Sequence, residues 1–270
     1  MSETFANAPL VEIVVELRWQ QRNVAVQDQA PKNHFGVPLS LIDGGASHDD
    51  FFMRFGGIVY GLGYVQSERL VPPGFPLMPH QAARRFRKKD GSEVFQVGPG
   101  LFTANCVPPY KSWNEFAPEV ASGIGALLEA RGEADRALPF TSVTLRYIDA
   151  FTTSQMVGTT PQLFMRNVLG FSVELPGAIT THLAQGSDPA VALQLAMPLV
   201  GGMTLQLQLA EASVNKQDSL LMDTTVACAA PVTPTRVDLL AALTSAHDVI
   251  HDIFVNMTLP IREVLEPQGS

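Results

Sequence analysis

Two segments of the chain alternate apolar and polar residues in the same order. VELRW at 15–19 ends a run in which apolar side chains occupy every second position from Val11 onwards, and VTLRY at 143–147 repeats the pattern. Alternation with a period of two is typical of a β-strand that buries one face. Each segment therefore predicts a strand, with Arg18 and Arg146 at equivalent places on the polar faces.

A helical pattern follows each predicted strand. FFMRF at 51–55 in the first half corresponds to LFMRN at 163–167 in the second half. Ser47 begins a capping box before the first of these segments, and Thr160 is followed by a proline before the second, so each residue is predicted to start a helix. Residues 20–46 contain several proline, glycine, asparagine and aspartate residues and predict an inserted loop in the first half.

Further strands and a long helix complete each half. An Asp-Gly pair at 90–91 separates two strand-like runs and predicts a hairpin in the first half. Residues 178–229 contain four strand-like runs in the second half, the first of them at 178–185. Long amphipathic patterns that begin at Ser112 and near Thr235 predict the closing helices.

The two halves thus share the order strand, helix, three or four antiparallel strands, helix. This order predicts an internally duplicated α+β fold, with pseudo-repeats at residues 1–138 and 139–270. The arrangement resembles the saddle of the TATA-binding protein, or a related helix-grip fold, in which helices cover one face of a curved antiparallel sheet. This resemblance concerns the fold and implies no function. It requires both arginine-bearing strands to lie in one continuous sheet.

Three segments also resemble a sporadically distributed bacterial family of conserved hypothetical proteins. They are NAPLVEIVVELRW at 7–19, FQVGPGLFTANCVPPYKSWNEF at 95–116 and VTLRYIDAF at 143–151. That family usually has an asparagine where this chain has Asp149. The resemblance covers most of the first 151 residues and implies no particular activity. A patchy distribution is similar to that of accessory or defence genes.

The composition indicates a globular protein with an acidic surface. Of the 270 residues, 46% are apolar, and the net charge of −8 opposes unspecific attraction to nucleic acid and to anionic membranes. The acidic N-terminal region lacks a signal-peptide pattern and no run of about 20 apolar residues occurs, so we expect a cytoplasmic protein. Cys106 and Cys228 are too few for a disulfide scaffold, and we expect both to be unpaired.

Motifs of common enzymes and cofactor sites are absent from the sequence. No phosphate-binding loop, serine-nucleophile elbow or paired-cysteine zinc pattern occurs, so we expect no cofactor, and the balance favours a protein that is not an enzyme. His247 and His251 have the four-residue spacing of two metal ligands on one helix. Because no third ligand lies near them in sequence, they are interpreted as boundary residues of an amphipathic helix, and no metal site is predicted.

The two strand arginines are the candidate ligand-binding residues. Arg18 and Arg146 could bind a carboxylate or phosphate in a groove between the halves, together with Glu16, Asp149 and Tyr110. The alternative is a structural network of ion pairs across neighbouring strands. Buried arginines would favour the ligand site, and solvent-exposed pairs would favour the network.

A basic cluster at one predicted hairpin is a candidate nucleic-acid site. Its members surround Phe86 and are Arg84, Arg85, Arg87, Lys88 and Lys89. An exposed hairpin with an aromatic side chain can hold single-stranded nucleic acid. The alternative is a solubilising hairpin whose charges protect an edge strand from aggregation.

These observations order three functional hypotheses. The first is a non-catalytic binding or interaction protein that uses the open sheet face, with a protein partner or a second copy of the chain. The second is the binding or conversion of a small anionic ligand in a groove around Arg18 and Arg146. A closed pocket around these arginines, with a carboxylate of raised pKa, would favour it. The third is nucleic-acid binding through residues 84–89, which the acidic total disfavours.

Overall fold

The computed structural model describes most of the chain, namely residues 3–20, 40–107, 112–185, 190, 192–214 and 216–268. Its strands are β1 Thr4–Phe5, β2 Leu10–Trp19, β3 Gln66–Arg69, β4 Arg84–Arg87, β5 Glu93–Gly98, β6 Leu101–Cys106, β7 Phe140–Phe151, β8 Leu193–Leu199, β9 Met203–Val214, β10 Gln217–Cys228 and β11 Pro267–Gln268. Its α-helices are α1 Ser40–Gly61, α2 Trp113–Ala130, α3 Glu133–Arg136, α4 Pro161–Asn167, α5 Gly177–Thr180, α6 Arg236–Met257 and α7 Arg262–Leu265, and short 3-10 turns span Val200–Gly202 and Leu259–Ile261.

Nine strands form one antiparallel sheet in the order β3-β4-β5-β6-β2-β7-β10-β9-β8. The two arginine-bearing strands, β2 and β7, are neighbours at its centre, with Val15 opposite Leu145. The predicted α+β class with a large antiparallel sheet is therefore confirmed. On either side of the β2–β7 pair, a central strand is followed by a helix, further antiparallel strands and a long helix, but α1 has 22 residues whereas α4 has 7.

The helices cover one face of this sheet. α1 and α6 both contact α2, α2 contacts β6, and α6 contacts β7 and β10. The main core therefore lies between the helices and the inward side chains of the central strands, including Leu17 and Leu145, which are fully buried. A second apolar cluster surrounds Phe151 and includes residues of α4, β9 and β10. None of the helices in the described ranges is both long and apolar enough to span a lipid bilayer.

The predicted alternation of β2 needs one correction. Ile13, Val15, Leu17 and Trp19 are buried as expected, but Val11 is 39% exposed. The pairing of β2 with β7 shifts register between Leu10 and Glu12, so a bulge interrupts the alternation there. A bulge adds one residue to one strand and turns the following side chains to the other face, which the sequence pattern alone does not show.

The first helix is longer than the sequence predicts. α1 begins at Ser40, whereas Ser47 was the predicted start. The predicted loop 20–46 is therefore too long at its C-terminal end, and its central part, residues 21–39, lies outside the described residues. The predicted strand at 178–185 is also wrong, because this segment contains the short helix α5.

Two of the predicted helix starts have the expected side-chain caps. The hydroxyl of Thr160 accepts a hydrogen bond from the backbone N–H of Leu163, and the hydroxyl of Thr235 accepts one from the backbone N–H of Asp238. These bonds satisfy backbone donors that have no partner within the helix. Ser112 also precedes its helix, but its side chain makes no capping hydrogen bond. The strand-end cysteines are free thiols, as predicted.

A buried arginine fixes the connection between the two halves. Arg131 follows α2 and is 1% exposed, and its guanidinium lies 5.2 Å from the ring of Trp19 and 4.7 Å from that of Phe140. It also donates a hydrogen bond of 3.0 Å to the carbonyl oxygen of Leu138. Trp19 ends β2 and Phe140 begins β7, so this cation–π cluster joins the last residue of one central strand to the first residue of the other.

The close packing of α2 on the sheet allows a test with two glycines of one helix. A Cβ atom on Gly123 would lie 2.7 Å from the ring of Phe95 and 2.9 Å from that of Phe102, whereas one on Gly125 would have no neighbour within 4 Å. We expect Gly123→Ala to lower the free energy of unfolding by about 1–3 kcal/mol, because overpacking displaces buried rings. Gly125→Ala should leave it unchanged or raise it by up to about 1 kcal/mol, because alanine favours a helix. Urea unfolding measures both, and equal changes would contradict this packing.

Candidate ligand-binding pocket

The two strand arginines do not converge on one site. Arg146 lies opposite Val14 in the β2–β7 register, and Arg18 is four residues further along β2. At about 3.3 Å per residue, the two side chains are separated by about 13 Å along the strand. The two arginine side chains bind different carboxylates and do not share a contact.

Each arginine instead has a carboxylate of its own on the open sheet face. Arg18 Nε lies 2.7 Å from Glu16 Oε1, although this contact is not aligned as a hydrogen bond. Arg146 forms a bidentate pair with Asp223, with Nε–Oδ1 at 2.8 Å, and this hydrogen bonding raises the pKa of Arg146. The arginine side chains are 44% and 43% exposed. The Arg146–Asp223 pair crosses neighbouring strands, as the structural alternative describes, whereas the Arg18–Glu16 pair lies within β2.

Asp149, another predicted ligand residue, lies on the opposite face of the sheet from the arginines. Asp149 shares the inward direction of Leu145 and Tyr147 on β7 and is buried, so its predicted place beside the arginines on the open face is wrong. Residues two apart on a strand point to the same side, and Asp149 is an odd number of positions from Arg146. Tyr110 lies outside the described residues.

The basic cluster lies on and directly after β4, and most of its charged groups are near carboxylates. Four of its five members lie near carboxylates: Arg84 near Asp49, Arg85 and Arg87 near Glu68, and Lys88 near Glu93 and Glu119. Phe86 is 5% exposed and packs 5.5 Å from Phe55, so its ring is not available to stack on a base. The structure does not bring a free basic surface and an exposed aromatic ring together here.

A pocket of about 510 Å³, including the part open to solvent, lies on the helix side of the second half. Its walls are the N-terminal segment, β7, β10 and α6, and we call it the Asp149 pocket. It is lined by Glu3, Thr4, Phe5, Ala8, Leu10, Tyr147, Asp149, Met222, Thr224, His247, Ile250, His251 and Phe254. Apolar atoms provide most of the pocket surface, and polar side chains are contributed by the N-terminal segment, the two strands and the helix.

Three polar side chains of β7, β10 and α6 line the pocket together with Asp149. The hydroxyl of Tyr147 lies 2.9 Å from His247 Nδ1, and the imidazole of His247 stacks on Trp113 at 5.4 Å. Thr224 lies directly opposite Tyr147 in the β7–β10 register. Both Thr224 Oγ1 and His247 Nε2 are buried and have no hydrogen-bond partner among the described residues. Buried polar atoms of this kind are rare in proteins because each one costs free energy.

Burial holds Asp149 and His247 in their uncharged forms. Burial, together with the charge of Asp223, raises the pKa of Asp149 to about 8. Burial, together with the charge of His251, lowers the pKa of His247 to about 4. Both shifts have the same physical cause, because a charged group loses its hydration when it is buried. At pH 7 the resting pocket therefore contains a carboxylic acid and a neutral imidazole.

The N-terminal segment forms the outer wall of the pocket and is held in place by side-chain and backbone contacts. The carboxylate of Glu3 pairs with Arg262, and its carbonyl oxygen lies 2.8 Å from His251 Nε2. β1 pairs with β11 near the C-terminus. These contacts hold the wall against α6 and α7.

The histidine pair was the candidate for metal binding. The rings of His247 and His251 are 5.6 Å apart, but His247 Nδ1 contacts Tyr147 and His251 Nε2 contacts the backbone of Glu3. Within the described residues, no three histidine, cysteine, aspartate or glutamate side chains are placed to share a metal ion. The two histidines belong to the wall of the pocket.

Comparisons with known proteins give no functional assignment. No protein-family model matches this chain, and no curated protein matches it. Among solved structures, it is similar to the crystal structure of the di-domain ARO/CYC StfQ from the steffimycin biosynthetic pathway. The identity is 8% and the TM-score 0.19, over 77% of this chain and 94% of the other. A TM-score this low does not assign a function to this chain.

The buried carboxyl group predicts how stability depends on pH. Between pH 6.5 and 8, Asp149 is protonated in the folded chain and ionised in the unfolded chain, so a rise in pH favours unfolding. The stabilisation is complete below the unfolded pKa and is lost as pH rises through the folded pKa. His247 contributes little in this window, because its pKa of about 4 leaves it neutral there. We expect the free energy of unfolding to fall by about 2 kcal/mol over these 1.5 pH units.

Substitution of the carboxyl group isolates this effect. Asp149→Asn should remove the fall in stability, whereas Asp218→Asn, an exposed carboxylate on β10, should retain it. Urea unfolding at four pH values between 6.5 and 8 measures the difference. Parallel pH profiles for all three proteins would show that Asp149 is already ionised in the folded chain.

Proposed function

We propose that this protein binds a small molecule in the Asp149 pocket. The observation that carries the proposal is the placement of two unpartnered buried polar atoms, on Thr224 and His247, in the lining of a pocket with a mainly apolar surface that also contains a buried carboxyl group. Ligand sites have this composition, with apolar walls and a few polar groups that orient the ligand. Carboxyl groups with strongly shifted pKa values also concentrate at functional sites.

The energetics of the resting pocket support this proposal. An unsatisfied buried hydroxyl or imidazole nitrogen costs about 1–3 kcal/mol. Substitution by an apolar side chain of similar shape would remove that cost, and the neighbouring positions Leu220, Met222 and Val226 on the same face of β10 are apolar. A bound ligand that hydrogen bonds to Thr224 and His247 would offset the cost, so the polar residues become useful when the pocket is occupied.

The proposal is of binding rather than catalysis. Thr224 provides a hydroxyl, but no base among the described residues is hydrogen bonded to it. Nucleophilic catalysis by a hydroxyl group requires an adjacent group that removes its proton. Asp149 is an acid at pH 7 and cannot fill that role in the resting protein.

A second candidate function is protein binding through the open sheet face. It is favoured by the placement of the helices, which cover the opposite face, and by exposed uncharged side chains such as Gln206 and Gln208 on β9. A second copy of the chain is the simplest partner for this face. We prefer the pocket because the central charges of the face, at Arg18 and Arg146, are already paired within the chain.

The same order of elements in the two halves also supports an origin by duplication, with the pocket present in the second repeat. Its inward histidine, His247, lies on α6, and α2 has the apolar residue Ile124 at the corresponding distance from its N-terminus. We propose that binding developed in one repeat while the other repeat kept an apolar core.

Native mass spectrometry and a blocked pocket test the proposed function. Ala8 lines the pocket and Ala6 is exposed on the same segment, so Ala8→Phe should fill the cavity and Ala6→Phe should leave it open. We expect wild type and Ala6→Phe to bind small molecules, as a retained mass or in a ligand-observed NMR screen of fragments, and Ala8→Phe to lose at least 90% of that binding.

Two other outcomes would redirect the assignment. Binding that is equal in both variants would place the ligand outside the Asp149 pocket and overturn the proposal. A homodimer without any bound small molecule, which Gln206→Arg on the open face dissociates, would favour the second candidate function.

A further inference from the structure

The charge of the Asp149 pocket restricts what can occupy it. Within the part of the chain that the structure describes, no lysine or arginine lines the pocket or pairs with Asp149. The one other acidic residue of the lining, Glu3, is already neutralised by Arg262. A carboxylate or phosphate in this pocket would therefore meet a buried acid and no compensating cation, which is electrostatically unfavourable.

Three potential hydrogen-bond acceptors lie around the same space. Asp149 lies opposite Met222 on β10, and Thr224 is two residues further along, so both side chains point from neighbouring strands toward α6. His247 reaches down from α6 to the hydroxyl of Tyr147, which is opposite Thr224. When His247 carries its proton on Nδ1 and donates it to Tyr147, Nε2 is an acceptor. The carboxylate, the hydroxyl oxygen and Nε2 are then three acceptors in the lining of one pocket.

An ammonium group is chemically complementary to these three acceptors. It carries one positive charge and three N–H donors and has no acceptor of its own. Resting on the proposed function of small-molecule binding, we propose that the Asp149 pocket binds the ammonium group of a small organic amine, with the carboxylate of Asp149 as counter-ion and the hydrocarbon part against Phe5, Met222 and Phe254. Asp149, Thr224 and His247 each receive one hydrogen bond from the ammonium group.

Recognition of an amine has a consequence for proton release. Burial holds the pKa of Asp149 at about 8 in the empty pocket, so the carboxyl group must lose its proton when an ammonium group binds. The amine itself stays protonated throughout, because alkyl ammonium groups have pKa values near that of lysine, about 10.4. The affinity should then rise roughly fifty-fold between pH 6 and 8, as the ionised fraction of Asp149 increases.

Few other groups can contribute to this pH dependence. The charged or titratable groups that line the pocket with Asp149 are Tyr147 on its own strand, His247 and His251 on α6, and Glu3 on the N-terminal wall. Asp223 lies on the other face of the sheet and acts on Asp149 through its charge alone. His247, with a pKa of about 4, stays neutral in this range. His251 is the remaining imidazole, and its contribution is removed in the variant His251→Gln, which should keep the fifty-fold rise.

The experiment compares three probes of similar size. Butylamine, 1-butanol and butyrate are four-carbon molecules with an ammonium, a neutral hydroxyl and a carboxylate group, and their affinities are measured by NMR titration at pH 8. We expect butylamine to bind wild type at least tenfold more tightly than either analogue. Asp149→Asn should abolish this preference while it keeps the affinity for 1-butanol, and the exposed control Asp218→Asn should behave as wild type. Thr224→Val, which removes only the hydroxyl group, should weaken butylamine binding by about five- to tenfold.

The outcomes separate the amine inference from the proposed function. Equal or tighter binding of 1-butanol or butyrate, or an undiminished preference for butylamine in Asp149→Asn, overturns the amine inference and leaves the pocket as a binding site. Absence of binding for all three probes, with no change in the resonances of the pocket residues, overturns both. If Asp149→Asn fails to fold, the pH series on wild type decides alone: a fifty-fold rise from pH 6 to 8 supports the counter-ion, and a flat profile excludes it.

Discussion

Residues 10–19 and 140–151 pair at the centre of the nine-stranded sheet. This contact joins the two halves of the sheet, because each of its other strand pairs lies within one half. Without it, the nine strands would separate into a group of five and a group of four, each with a new exposed edge. Exposed edges are prone to pair with other chains. The β2–β7 pair therefore makes the core continuous and leaves no exposed strand edge in the middle of the sheet. The cation–π cluster of Arg131 stabilises one end of this strand pair.

The same strand that completes the core also creates the pocket. Along β7, Val143 and Leu145 are buried in the main core, and Tyr147 and Asp149 continue the same face beneath α6. The alternation that positions apolar side chains for stability therefore also positions an acid where water is scarce. Polar groups in such places reduce stability, and they are common at functional sites because binding benefits from groups that are already desolvated and oriented.

The sequence was informative where the structure depends on local pattern. Strand alternation predicted β2 and β7, and the order of strands and helices predicted the antiparallel sheet with helices on one face. The capping residues Thr160 and Thr235 marked helix starts because a hydroxyl group beside free backbone N–H groups has a local effect. The start of α1 was missed because a helix can extend through residues that carry several glycines when its later turns are held by packing against α2.

The site was less predictable because it depends on contacts between distant residues. Asp223 pairs with Arg146 across neighbouring strands, and no sequence motif identifies this pair. The sequence therefore suggested that Arg146 was free to bind a ligand. For Asp149 a local signal did exist. Its even spacing from Leu145 places a carboxyl group on the apolar face of β7, and that conflict between side chain and position marks the pocket. The convergence of His247 and Thr224 on it required the three-dimensional structure.

The outer wall of the pocket joins the two ends of the described chain. β1 pairs with β11, and Glu3 pairs with Arg262, so residues more than 250 positions apart close over the same cavity. Access to Asp149 is thus coupled to the C-terminal segment, which does not itself line the pocket. A molecule that binds to α7 or β11 and displaces β1 would change ligand affinity from a distance, and a bound ligand would in turn hold the two chain ends together.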